Sequence, residues 1–136
     1  MNNKYELTSE SKEFCGHALF RIKALVSFGN VVKGEVGGYI ESERNLSEYG
    51  DAWVYENARV SGDARVKIST DYFTVYPIGS RNSSITFTKS NKSVTTGCFH
   101  GSLSEFVKQV TKTHGTNQHA TNYLALVKFV KTMWKE

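Results

Sequence analysis

A turn in the C-terminal half of the sequence carries residue types that bind anions. The stretch YPIGSRN places a glycine between an aromatic side chain and a run of polar ones, at Tyr76, Ser80, Arg81 and Asn82. Successive backbone amides in such a turn can form a concave nest for an anion, and an arginine adds a bidentate donor pair for phosphate. The stretch therefore predicts a subsite for a small phosphorylated ligand.

A second polar turn, HGTNQ, lies immediately before a predicted helix. It offers His114 and Asn117 near the amino end of that helix, where the helix dipole also favours an anion. An aromatic face for a nucleotide base would come from Tyr76 or Phe99. Each residue also has a structural alternative, such as a helix N-cap for Asn117. The predicted ligand-binding residues are Tyr76, Ser80, Arg81, Asn82, Phe99, His100, His114, Asn117 and Lys128.

Catalytic and metal sites are less favoured interpretations of the same region. Cys98, His100, His114 and His119 are of types that zinc accepts, but C-x-H and H-x4-H are not usual zinc spacings. All histidines lie outside the repeat described below, and no carboxylate spacing orients any of them as a general base. We therefore predict no enzyme activity, no metal and no cofactor, and we interpret Cys98 as a small buried hydrophobe.

Charge is distributed unevenly along the chain. Residues 1–70 hold nine Lys/Arg and ten Asp/Glu, whereas residues 71–136 hold eight and three, so the positive net charge of +4 comes from the second half. An anionic partner is expected to meet that half. No apolar run is long enough for a membrane span, no secretory signal is visible, and Cys15 and Cys98 are expected to be reduced thiols. These features together predict a cytoplasmic protein.

A six-residue repeat precedes the basic half. The blocks GDAWVY, ENARVS and GDARVK place Val54, Val60 and Val66 six residues apart, and a small residue follows each valine by four. This pattern is typical of a left-handed parallel β-helix, in which three hexads make one turn. An antiparallel meander with accidental periodicity is the alternative. Residues 46–70 would form little more than one turn, which predicts that the rest of the chain or a homo-oligomer covers its faces.

Strands are predicted on both sides of the repeat. EFCGHALFRIKAL indicates a hairpin that turns near Cys15 and His17, and the paired glycines Gly37 and Gly38 suit tight turns or close backbone approach. After residue 70, the segments DYFTVYPIG, SSITFTK and SVTTGCFHG predict a three-stranded antiparallel sheet.

Two helices are predicted after that sheet. Ser102 and Glu105 form a capping box for the first, and an apolar face from Ala120 to Trp134 indicates the second. The predicted fold class is therefore mainly β with C-terminal helices (α+β): a short left-handed parallel β-helix segment followed by a three-stranded antiparallel sheet and two helices. Its two parts, residues 1–70 and residues 71–136, are expected to form one compact unit.

The string GEVGGYIESERNLSEYGDAWVYENARVSGDARV resembles a family of small phage and prophage proteins with hexapeptide-like repeats. The tail YPIGSRN…GCFHGSLSEF…THGTN…YLALV is similar to the tail that follows the repeats in those proteins, so the resemblance covers nearly the whole chain. It implies a phage origin and a left-handed β-helix segment. This chain departs from the longer members, which carry many more GDAxV blocks.

Small size, the phage resemblance, the short repeat and the basic half together favour an anti-defence binding protein. We expect a non-catalytic homo-oligomer in the host cell cytosol that sequesters a phosphorylated, cyclic nucleotide immune signal in pockets between its subunits. The alternatives are a protein that binds a host nuclease or CRISPR complex and inhibits it, and a structural module of the phage. Direct nucleic-acid binding is less favoured, because the sequence lacks a helix-turn-helix, a zinc finger and an aromatic stacking motif.

Overall fold

The computed structural model describes residues 2–14, 16–79, 83–97 and 99–134. Within these ranges, two four-stranded sheets follow one another along the chain, and two helices follow the second sheet. The first sheet contains β1 (Tyr5–Phe14), β2 (His17–Ala24), β3 (Val36–Ile40) and β4 (Arg59–Val60). The second contains β5 (Tyr72–Ile78), β6 (Ser83–Thr88), β7 (Ser93–Thr96) and β8 (Phe99–Ser102). The helices are α1 (Leu103–His114) and α2 (Gln118–Met133).

The first sheet begins with the predicted hairpin. β1 and β2 pair antiparallel, and Phe14 lies opposite His17 at the end of the ladder, so the hairpin is confirmed. Cys15, at its turn, lies outside the described residues. β3 then adds to β2 in antiparallel orientation, and β4 adds to β3 in parallel orientation.

The prediction of a left-handed parallel β-helix is wrong. In the described part of the chain, the repeat contributes a single short strand, β4, to a sheet whose other two ladders are antiparallel. An isolated parallel bridge also joins Leu46 to Val66. The strand paired with β4 is β3, and the hairpin β1–β2 extends the same sheet beyond β3. A short local turn joins the antiparallel strands of such a hairpin at little entropic cost. Val54, Val60 and Val66 are nevertheless all buried in the first core, so the spacing identified the inward-facing residues without identifying what covers them.

Two adjacent glycines allow the backbone of β3 to approach the repeat closely. The amide of Gly38 donates to the carbonyl oxygen of Val54 at 2.7 Å. A Cβ atom on Gly38 would lie 2.6 Å from the carbonyl oxygen of Ala58, and one on Gly37 would lie 2.8 Å from the ring of Trp53. The close backbone approach predicted for this glycine pair is confirmed.

A buried asparagine connects the loop after β3 to the repeat. Oδ1 of Asn45 accepts hydrogen bonds from the backbone amides of Glu41 and Ser42, at 3.1 and 3.0 Å. Its Nδ2 donates to the carbonyl oxygens of Gly62 and Ala64, at 3.1 and 2.8 Å. The side chain thus makes four hydrogen bonds in a site closed to solvent, and it fixes the loop around Gly62.

The second sheet has four antiparallel strands in the order β5-β6-β7-β8, so the prediction of three strands is wrong. The segment SVTTGCFHG, predicted as one strand, is a hairpin whose arms are β7 and β8. The turn is possible because Gly97 adopts a φ of +52°, a conformation that glycine tolerates best.

Both predicted helices are present. The Ser102 hydroxyl accepts from the amide of Glu105, and the Glu105 carboxylate accepts from the amide of Ser102, which confirms the capping box of α1. On α2, the buried face contains Ala120, Tyr123, Val127 and Val130. Over the described residues, neither helix is both long enough and apolar enough to cross a membrane.

The two sheets have separate apolar cores that meet across a polar layer. One face of the second sheet packs against the helices, whereas its other face buries polar side chains. These are Thr86, Thr88, Ser93 and Thr95. Hydrogen bonds cross the layer from the amide of Arg59 to Thr86 Oγ1 at 3.2 Å and from the amide of Arg65 to Ser90 Oγ at 2.8 Å. This layer also contains the buried side chain of Arg59.

Candidate anion-binding cleft

A cleft of about 80 Å³ opens where β4 of the first sheet meets the β7–β8 edge of the second. Two aromatic rings, two hydroxyl groups, two imidazoles and one guanidinium border it. The residues concerned are Phe14, His17, Arg59, Ser61, Thr95, Phe99 and His100. We refer to this hollow as the anion cleft.

The cleft contains a buried arginine. Arg59 is only 6% exposed, and its guanidinium lies over the ring of Phe14, 3.7 Å from the ring centroid. Its Nη2 donates to the carbonyl oxygen of Gly97 at 2.7 Å. Removal from water lowers the pKa of Arg59 to about 10, which still leaves the group charged near neutral pH.

No carboxylate neutralises this guanidinium among the described residues, because none lies within 4.0 Å of it. Its Nε atom is buried and has no hydrogen-bond partner in the same part of the chain. Buried charges in proteins are normally paired, since an isolated charge in a dry site is costly. Arg59 therefore has unused capacity for an anion.

A histidine and two hydroxyl groups lie beside the arginine. Nδ1 of His100 is 2.8 Å from Thr95 Oγ1 and 3.3 Å from Ser61 Oγ. Burial lowers the pKa of His100, and the carboxylate of Glu41 opposes that shift only in part. A largely neutral imidazole and two rotatable hydroxyls can all present N–H or O–H donors to the oxygen atoms of an anion.

Strand geometry explains why these side chains meet. Val60 points into the first core, so Arg59 and Ser61, on either side of it, point out of the sheet toward the cleft. Thr95 and His100 are directly paired across the β7–β8 ladder and share one face of the second sheet. The four functional groups are thus placed by two regular strand pairs rather than by a loop.

Gly62 sets the position of the imidazole. It has a φ of +60°, and a Cβ atom there would lie 2.7 Å from Nε2 of His100. Its amide donates to Glu41 Oε1 at 2.8 Å, while Glu41 Oε2 faces His17 Nδ1 at 3.4 Å. The Glu41 carboxylate is thereby directed toward the rim of the cleft and away from its buried end.

The structure places the sequence-predicted residues at several locations. Phe99 and His100 border the anion cleft. Tyr76 is exposed on β5 and borders a different hollow, whereas Lys128 is exposed on α2. Ser80, Arg81 and Asn82 lie outside the described residues, as does Cys98.

The turn before α2 has a structural role. The Asn117 side chain accepts from the amide of Ala120 at 3.0 Å, so it is the N-cap of α2. His114 ends α1, with its ring 5.4 Å from that of His119 and 5.8 Å from that of Tyr123. Neither residue borders the anion cleft. No group of three metal-ligating side chains occurs among the residues for which coordinates are described.

Sequence reasoning missed Arg59, Ser61 and Thr95. The sequence did contain a sign of Arg59. This residue occupies the variable position of a hexad, between two buried residues, and must therefore point out of the sheet. The turn at Gly97, which covers Arg59, is 38 residues away along the chain. Local patterns carry no information about such a distant contact.

Protein stability is expected to fall as the pH drops from about 7 to about 5, in part because of His100. The folded-state pKa of His100 lies below its unfolded value of 6.5, so the unfolded chain binds more protons in this range. Urea denaturation at a series of pH values would measure the slope. His100→Gln should make this slope shallower, and an unchanged slope in this variant would contradict the assignment.

The sequence matches no protein-family model, and no curated protein matches it.

Proposed function

We propose that the protein binds a phosphorylated small molecule of the nucleotide class, with the phosphate group held by Arg59 in the anion cleft. The observation that carries this proposal is a guanidinium that is buried yet has no carboxylate partner in the described chain. A phosphate group supplies the missing charge and accepts hydrogen bonds in the fork geometry that arginine offers.

Three neighbouring groups support a phosphate rather than a simple halide. Both hydroxyl oxygens, of Ser61 and Thr95, lie within hydrogen-bond distance of His100 Nδ1. A hydroxyl that accepts from that nitrogen keeps its own proton, which it can donate to a phosphate oxygen. The low local dielectric at the buried end of the cleft strengthens these hydrogen bonds. The net charge of +4 also favours the approach of an anion from solution.

The biological role follows from the resemblance to small phage proteins. We propose that the ligand is a nucleotide immune signal of the host, which the protein sequesters without turning it over. The residues that border the cleft described here all belong to one chain, whereas pockets between subunits were expected from the sequence. The expected homo-oligomer stays a prediction, and light scattering of the purified protein tests it.

Isothermal titration calorimetry tests the proposal. The probes are inorganic pyrophosphate, a panel of linear and cyclic nucleotides, and the corresponding nucleosides, at protein concentrations well above micromolar. We expect heat from pyrophosphate and from some of the nucleotides, with affinity that decreases as salt is added. The proposal is wrong if no phosphorylated probe produces heat.

A further inference from the structure

A second hollow lies on the opposite face of the second sheet, between that sheet and the two helices. It has a volume of about 270 Å³ and is lined by aromatic rings and polar side chains in similar number. We call it the helix-side chamber, and its principal residues are Thr96, Phe99, Phe106, Gln109, His114 and Tyr123.

The rings in the chamber pack against one another at steep angles. The centroids of Phe99 and Phe106 are 5.5 Å apart with ring planes inclined by 54°, and those of Phe106 and Tyr123 are 5.5 Å apart with an angle of 87°. Phe106 and Tyr123 are buried, whereas Phe99 is partly exposed and can offer a ring face. At the mouth, the Gln109 side chain donates to Thr113 Oγ1 at 2.9 Å, which leaves its carbonyl oxygen and a second N–H available. A partly exposed ring beside an amide is suited to a planar heteroaromatic base.

The chamber and the anion cleft meet at the turn between β7 and β8. Gly97 and Phe99 border both hollows. Apart from its two chain neighbours, no described residue has an atom within 4 Å of the position that a Cβ atom on Gly97 would take. The Arg59 guanidinium donates to the carbonyl oxygen of the same glycine. The phosphate-binding group is therefore adjacent to the entrance of the aromatic chamber.

We infer that the helix-side chamber is the base subsite of the ligand whose phosphate is bound by Arg59. The sugar crosses the rim at Gly97, the base stacks on Phe99, and its polar edge faces Gln109. This inference rests on the proposed function, and it adds that one nucleotide spans both faces of the second sheet. It also predicts that the protein distinguishes nucleotides from inorganic phosphates of equal charge.

A substitution that fills the chamber tests the inference. Gln109 is exposed on α1, so Gln109→Trp places an indole in the chamber without disturbing a core position. With wild-type protein, the best nucleotide of the panel should bind about tenfold more tightly than pyrophosphate, as stacking on aromatic side chains contributes. In Gln109→Trp this advantage should vanish, while pyrophosphate affinity stays unchanged.

Thr111→Trp is the matched control, because Thr111 is an exposed neutral residue of the same helix and borders neither hollow. It should bind both probes as the wild type does. The inference is overturned if Gln109→Trp retains the nucleotide advantage, or if wild-type protein binds nucleotide no more tightly than pyrophosphate. Absence of binding by every phosphorylated probe would instead contradict the proposed function itself.

Discussion

Replacement of Arg59 by methionine is expected to weaken pyrophosphate binding by about 10- to 100-fold while leaving the folded protein as stable as before, or more so. The loss of affinity corresponds to one charge-assisted hydrogen bond of about 1.5–3 kcal/mol. Stability should not fall, because methionine removes a buried charge without a carboxylate partner in the described chain. An apolar side chain of similar length can still pack on Phe14.

The matched control for this variant is Arg65→Met. Arg65 occupies the same position in the next hexad but is exposed, so its replacement should alter neither binding nor stability appreciably. Calorimetry measures the affinity, and urea denaturation measures the free energy of unfolding. A loss of more than about 2 kcal/mol of stability in Arg59→Met, with binding intact, would show that the arginine is structural.

Asn45→Asp is expected to lower the free energy of unfolding by about 3 kcal/mol or more at pH 7. The side chain is almost the same shape, but both donors of Nδ2 are lost. The new carboxylate oxygen would face the carbonyl oxygens of Gly62 and Ala64 in a site with no access to solvent. Burial of a charge against two acceptors is among the most destabilising changes that a single substitution makes.

Asn57→Asp provides the comparison, since Asn57 is an exposed asparagine whose Oδ1 already accepts a weak hydrogen bond from Arg21 at 3.4 Å. Its stability should stay within about 0.5 kcal/mol of the wild type. Urea denaturation of both variants gives the difference. If Asn45→Asp loses less than about 1 kcal/mol, then the four hydrogen bonds of Asn45 do not hold the loop as described.

Local pattern predicted which residues are buried but not how the strands are arranged. The inward positions of Val54, Val60 and Val66 follow from spacing alone, because side-chain direction in an extended chain depends only on neighbouring residues. The pairing partners of that segment come from β3 and from the bridge at Leu46, which are distant in sequence. Strand order depends on the whole chain. The six-residue spacing and the resemblance to repeat proteins therefore predicted a parallel β-helix, which is the wrong architecture.

The residues of the anion cleft were predicted only in part, because local sequence patterns do not show which distant segments meet. Phe99 was predicted as an aromatic face for a base, and His100 was among the predicted ligand-binding residues; both border the anion cleft. Asn117 was misleading, because the turn that suits an anion also suits a helix N-cap, and capping is the role that the side chain has. Arg59 was missed because burial of an arginine requires a second sheet, which no short segment reveals.

The polar layer between the two sheets bears on how the molecule opens. Each sheet has its own hydrophobic cluster, and the contacts between the sheets include hydrogen bonds to Thr86 and Ser90 together with the ring of Tyr72, which packs against the first cluster. Water can replace such bonds, so separation of the halves requires less free energy than melting of either one. A ligand bound at Arg59 would connect the two sheets. We therefore expect its binding to slow amide hydrogen exchange in both sheets next to the polar layer.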